Sequence, residues 1–203
     1  NKGFSLLRED QEWNLKRGGK YFVVRNNSSV IGFINGERSL QDTGVKIIGA
    51  HTDSPSLTLK PNPITYSSGY SQLGVEVYGG ALLKPWFDRD LSVAGRIVFK
   101  NSTGDIGEKL IDFERPICVI PSLAIHLNRD ANGNSPINPQ TDILPILSQN
   151  IEGQKPLDEM YFNSEISDKF LKKGEILLDH DLNLYDVQPP SMVGFNEEFI
   201  SSQ

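Results

Sequence analysis

The 203-residue chain has a single cysteine, Cys118, so no internal disulfide can form. It sits in the apolar run Pro116-Ile117-Cys118-Val119-Ile120 and reads as a buried small hydrophobe of a reducing compartment, not as a nucleophile. No apolar stretch approaches the ~20 residues that a membrane helix needs. No signal-peptide pattern opens the chain. The expectation is a cytoplasmic protein without a membrane partner, in which the Asn-x-Ser/Thr matches at Asn26, Asn27 and Asn101 carry no meaning. Basic charge is in deficit: 20 Lys and Arg stand against 26 Asp and Glu, a net charge of -6. An acidic surface repels phosphate backbones, which argues against nucleic acid as a partner. A Gly-x-Ser-x-Gly elbow is absent, and the glycines at 74–80 lack the lysine and spacing of a phosphate-binding loop. An initiator methionine is also absent, and Asn1 opens within a segment that reads as helical, so the native protein is expected to extend in both directions.

What is present is enough hydrophobic residue, 37%, to bury the core of one large domain or two small ones. Residues 4–15, FSLLREDQEWNL, place Phe4, Leu7, Trp13 and Leu15 at loose helical spacing, with Ser5 as N-cap. Residues 21–25 and 30–34 are β-rich and joined by Asn26-Asn27-Ser28-Ser29, which predicts a hairpin. Residues 36–44 read as a loop and 45–50 as a buried strand. After Pro55, strand patterns recur at 57–59, 73–78, 91–100, 110–113 and 117–120, with PNPITYSSGYSQ and the polar stretch 101–107 between them. Helices are predicted around 143–151 and over 166–173, the second closed by Gly174. Residues 175–187 form an extended run stopped by Gln188-Pro189-Pro190. These patterns predict α/β material at both ends of the chain and a mostly β module between them, from about residue 57 to about residue 185.

The stretch GAHTDSP, residues 49–55, carries the most chemistry. A histidine that binds a metal needs a neutral ring and a partner for its second nitrogen. A carboxylate there fixes the tautomer and raises the basicity of the ligand. In an extended chain, residues i and i+2 point the same way, so His51 and Asp53 can lie side by side. An ordinary turn that happens to contain a histidine explains the same residues. One imidazole cannot hold a zinc, and spacing alone selects no further ligand from the many carboxylates. By pattern alone His126 and His180 are structural. Trp86-Phe87-Asp88-Arg89-Asp90 reads as an aromatic-anchored turn in which Arg89 pairs with acids, with a substrate contact as the alternative.

Six blocks in order, GKYFVVRNNSSVIGF, IGAHTDSP, QLGVEVYGG, WFDRDLSVAGRIV, ERPICVIPSLAIHLNRD and LYDVQPP, resemble the aspartyl aminopeptidase family. The resemblance spans nearly the whole chain. It implies an α/β phosphorylase/peptidase-like zinc peptidase domain with two zinc ions at strand ends. It also implies an inserted, mostly β second domain that serves dimerisation and assembly. The expected organisation is 1–56 as the N-terminal part of the peptidase domain, 57–185 as the insert and 186–203 as the return. His51 matches the family's first zinc ligand, Asp53 the carboxylate behind it, and His126 a histidine that reaches a neighbouring subunit's active site. The family forms dodecamers and removes N-terminal residues, often Asp or Glu and in some members neutral ones, from peptide substrates. The bridging aspartate, the paired glutamates and the further ligands of the family are expected after Gln203, so these 203 residues alone are expected to be inactive. A catalytically inactive relative that serves as an assembly scaffold is the alternative reading.

Overall fold

A computed structural model describes residues 2–133, 136–150 and 157–202. The chain divides into two compact units, Asn1–Thr52 and Asp53–Gln203, so the boundary falls inside GAHTDSP.

In the first unit, β1 (Ser5–Leu6), β2 (Lys20–Arg25) and β3 (Ser29–Ile34) form a three-stranded sheet in that order, with β1 parallel to β2 and β2 antiparallel to β3. The predicted hairpin is present. Asn26 and Asn27 both take φ 52° in its turn, a left-handed conformation that asparagine tolerates better than most residues. The predicted helix over 4–15 is not. Ser5 caps nothing and instead lies opposite Tyr21 in the sheet. Four apolar residues at loose helical spacing over twelve positions make too thin a stripe to hold a short helix against solvent. Sheet pairing and rings win: Trp13 stacks on Phe33 at 6.2 Å, Phe33 lies 5.6 Å from Tyr21, and Arg25 grips the Glu9 carboxylate through Nε and Nη2. The predicted loop contains one helical turn, α1 (Leu40–Thr43), begun where the Ser39 hydroxyl accepts the Gln41 N–H. The predicted buried strand at 45–50 is irregular and open, with Ile47 85% and Ile48 99% exposed. A strand forms only where another strand takes its hydrogen bonds, and none among the described residues pairs with this run.

The second unit is built on a six-stranded sheet of order β7-β6-β9-β4-β5-β8. Its strands are β4 (Ser56–Ser67), β5 (Tyr70–Tyr78), β6 (Leu91–Lys100), β7 (Ile106–Asp112), β8 (Ile146–Gln149) and β9 (Ile176–Asp186); β10 (Ser191–Val193) and β11 (Phe199–Ser201) form a separate pair. Alternation puts one face inside: Leu57, Leu59, Leu73, Val75, Val93, Ile97, Leu182 and Leu184 are all buried. One helix, α2 (Glu159–Phe170), completes that core with Phe162 and Ile166, one turn apart on a single face. Asp158 caps it by accepting the Tyr161 N–H at 2.7 Å.

Several boundaries differ from the sequence pattern. The proline-rich stretch after Leu59 is strand, not turn. Pro61 and Pro63 sit where the β4–β5 register shifts between Leu59 and Ile64, which is where a sheet tolerates residues without an N–H. The reversal comes later, at Ser68 and Gly69, with φ 50° and 84°. The predicted helix at 143–151 is β8 instead. Pro145 leaves its carbonyl to the Leu73 N–H, and Ile146 pairs with Val119 and Gln72. Ile151 lies outside the described residues. α2 starts seven residues before Ile166 and ends with Leu171 as C-cap, while Gly174, at φ 89°, turns the chain into β9. β7 starts at Ile106, inside the expected turn, and 117–120 makes single bridges to Phe87, Leu91 and Ile146 where a full strand was predicted. His180 lies half-buried on β9 with its ring edge-on to Phe162. Cys118 is buried as predicted, and burial pushes its thiol up to about 12, where no thiolate forms near neutrality.

Candidate active site

His51 lies in the irregular, exposed stretch that closes the first unit. Asp53 opens the second unit, and its Oδ2 accepts the Tyr78 hydroxyl at 2.7 Å. That hydrogen bond, with the charge of the carboxylate beside it, holds the Tyr78 phenol above its ordinary range. Tyr78 was not singled out by sequence reasoning. The signal was available in the hairpin: β4 and β5 pair Ser56 with Tyr78, which brings the end of β5 next to the residues that follow Asp53.

His126 sits in an exposed turn at 125–127, fixed by Leu127 and Asn128 N–H groups on the Ala124 carbonyl. Leu123, Ile125 and Leu127 around it are exposed as well. The WFDRD block forms the anchored turn expected of it. Lys84–Trp86 is a single 3-10 turn with Trp86 buried, and Arg89 Nη1 donates to Asp186 Oδ2 at 3.1 Å and to Gln188 Oε1 at 3.4 Å. Asp88 accepts the Ser122 N–H at 2.8 Å, which holds its carboxyl below the usual range. Trp86 and Arg89 also line a cleft of about 380 Å³ together with Pro55 and Gln188.

As a donor set these residues fit zinc in part. A neutral imidazole with a carboxylate two residues on is the ligand-and-orienter chemistry zinc uses. Among the described residues, however, no group of three or more His, Cys, Asp or Glu is placed to hold a metal ion. His51 is therefore a candidate for one ligand, not for a complete site. No helix among the described residues is long and apolar enough to cross a membrane.

Comparison with known proteins places these observations. The family model described as aminopeptidase I zinc metalloprotease (M18) matches residues 1–203. A probable M18 family aminopeptidase 2 of Pseudomonas aeruginosa (strain LESB58) is 45% identical over 199 residues, which cover 98% of this chain and 46% of that protein. Among solved structures, Chaetomium thermophilum mApe1 superposes with a TM-score of 0.77 at 33% identity, covering 98% of this chain and 47% of that one. The dodecamer of S. cerevisiae mApe1 gives 0.69 at 28% identity, covering 97% and 44%. The chain thus spans about half the length of the relatives it matches.

Proposed function

The chain belongs to the M18 family of aminopeptidase I zinc metalloproteases, and on that premise we propose that it forms part of a metal-dependent aminopeptidase that removes N-terminal residues from peptides. The observation that carries this reading is the 45% identity to an M18 aminopeptidase across 98% of the chain, with GAHTDSP inside the matched span. The residue removed is proposed to be Asp or Glu, with neutral residues as the alternative. Two zinc ions per site are proposed. Zinc bound there would supply a water of lowered pKa and polarise the scissile carbonyl.

This chain's own residues have three roles in the proposal. His51 contributes one imidazole to a zinc. Asp53 fixes the tautomer of that ring, and because a carboxylate accepts several hydrogen bonds, the Tyr78 hydroxyl can share it and restrict its rotation. His126 reaches the active site of a neighbouring copy and donates to the substrate carbonyl or to the oxygen that becomes negative in the transition state. The exposed apolar side chains flanking His126 support an interface role for its loop, and the dodecameric S. cerevisiae relative supports self-association. The domain organisation proposed is that of the resemblance, a peptidase domain interrupted at 57–185 by an assembly module.

The test is hydrolysis of peptides that begin with Asp, Glu or Leu by the full-length gene product, before and after treatment with a chelator. Release of the N-terminal residue alone, abolished by the chelator and restored by zinc, is the expected outcome, and the ranking of the three peptides gives the preference. Absence of cleavage of every peptide by a zinc-loaded protein would leave the assembly-scaffold reading in its place.

A further inference from the structure

His126 has to arrive at a defined point although it sits in an exposed turn, and the structure shows what holds that turn's root. The chain enters the turn through Ile120, Pro121 and Ser122. Ile120 is buried, and its carbonyl accepts the Asp88 N–H at 2.9 Å. Ser122, four residues before His126, gives its N–H to the Asp88 carboxylate at 2.8 Å. One residue thus binds the chain on both sides of Pro121, once by its backbone and once by its side chain, and Phe87 adds a parallel bridge to Ile120. Asp88 does so at φ 59°, a left-handed conformation that costs a residue other than glycine energy unless its surroundings compensate. Contacts on either side of it in the chain hold it in place. Trp86 is buried on one side, and on the other Arg89 is tied to Asp186, whose side chain is only 7% exposed.

We infer that Asp88 is a positioning residue for His126: it clamps 120–122 so that the loop presents the imidazole to a neighbouring copy in one geometry. The inference rests on the proposed role of His126 in a neighbour's active site and adds a second residue to it. The WFDRD block acquires a role in that reaction without touching substrate.

The experiment uses the full-length assembly and four variants: Asp88→Gly, Asp88→Asn, His126→Ala and the double variant Asp88→Gly/His126→Ala. Glycine accepts the left-handed φ and removes the acceptor, and asparagine keeps an acceptor oxygen and tolerates that φ. We expect His126→Ala to lower kcat by about a hundredfold, the scale of losing one transition-state donor. We expect Asp88→Gly to lower kcat by about tenfold with KM and zinc content unchanged, as for a donor displaced by a fraction of an ångström, and Asp88→Asn to restore most of the rate. The double variant should be no slower than His126→Ala, because two residues that act through one group do not add. Amide exchange over 121–128, read by mass spectrometry, should rise in Asp88→Gly and provides a result independent of turnover. Unchanged kcat in Asp88→Gly, multiplication of the two effects, or unchanged exchange overturns the positioning role while leaving His126 in place. Full activity in His126→Ala overturns the underlying reading, and the role of Asp88 with it.

Discussion

In the full-length protein, His51→Ala is expected to lose zinc and to lower kcat/KM by about a thousandfold or more, because what a bound zinc contributes to the transition state is worth several kcal/mol. The expectation follows from the place of His51 in the sequence more than from its present surroundings. It precedes by two residues a carboxylate that is already engaged, Asp53 on the Tyr78 hydroxyl at 2.7 Å. A graded series separates ligand from orienter. Asp53→Ala is expected to cost about 10- to 100-fold in metal affinity or activity, the range found when a partner behind a ligand is removed. Tyr78→Phe removes only the phenol that steadies Asp53 and is expected to cost less. Metal analysis beside peptide hydrolysis checks all three. An order in which Tyr78→Phe is the most damaging would mean that Asp53 serves Tyr78, not His51.

Gly95→Ala is expected to destabilise the second unit by about 3–5 kcal/mol, the combined scale of overpacking and of a strained backbone. Gly95 lies in the middle of β6 at φ 155°, paired with Leu182 of β9. A Cβ there would overlap the carbonyl oxygen of Asp181 and lie 2.9 Å from the Cα of Leu182. Both are backbone atoms of the neighbouring strand, so no side-chain rotation relieves the clash. The strands would have to part where Val93, Ile97, Leu182 and Leu184 build the core. A fall of many degrees in apparent Tm, or failure to accumulate as soluble protein, is the expected reading. An unchanged Tm would show that β6 and β9 do not approach as described. The neighbouring exposed Arg96→Ala should be mild by comparison, since its contacts to Glu108 and Asp181, at 3.4 and 3.8 Å, are surface ion pairs.

Much of this fold is legible in the sequence where alternation is strong and the partner strand is close. β2 and β3 announce themselves around Asn26-Asn27, and β6 and β9 are read almost to their ends. The misreadings have definite physical causes. Pro61 and Pro63 suggest a turn, yet a register shift absorbs both within β4. Residues 143–149 carry no clear period, and long-range pairing with Val119 and β5 decides their form. Leu7, Trp13 and Leu15 mimic a helix, but Trp13 packs on Phe33, Leu7 gives its N–H to Phe22 and Ser5 pairs in the sheet. Residues 45–50 read as a strand by composition, a pattern that names no partner, and none of the described strands is one.

The site is legible in a different way. His51 and Asp53 are visible as a pair two residues apart, but only the six-block resemblance gives the pair a meaning and gives His126 any role at all. Tyr78, and the part Asp88 plays within its turn, escaped because their contributions are hydrogen bonds across 25 and 34 positions of sequence, to Asp53 and Ser122, which no local pattern encodes. Chemistry carried by a residue type in a motif can be read from a chain. Chemistry carried by what supports that residue has to be read from the fold.

The central claim is that one active site takes His51 from one copy and His126 from another, and subunit complementation tests it most directly. Each full-length variant, His51→Ala and His126→Ala, is assayed alone and then after co-expression in equal amounts. In a mixed assembly, half of the sites keep His51 and half of those meet an intact His126 from a neighbour, so activity is expected to recover to about a quarter of wild type for a symmetric oligomer with random mixing. Activity of the mixed assembly no greater than the average of the two variants alone would contradict the account, since it would place both histidines in the same subunit's site or leave His126 without a part in the reaction.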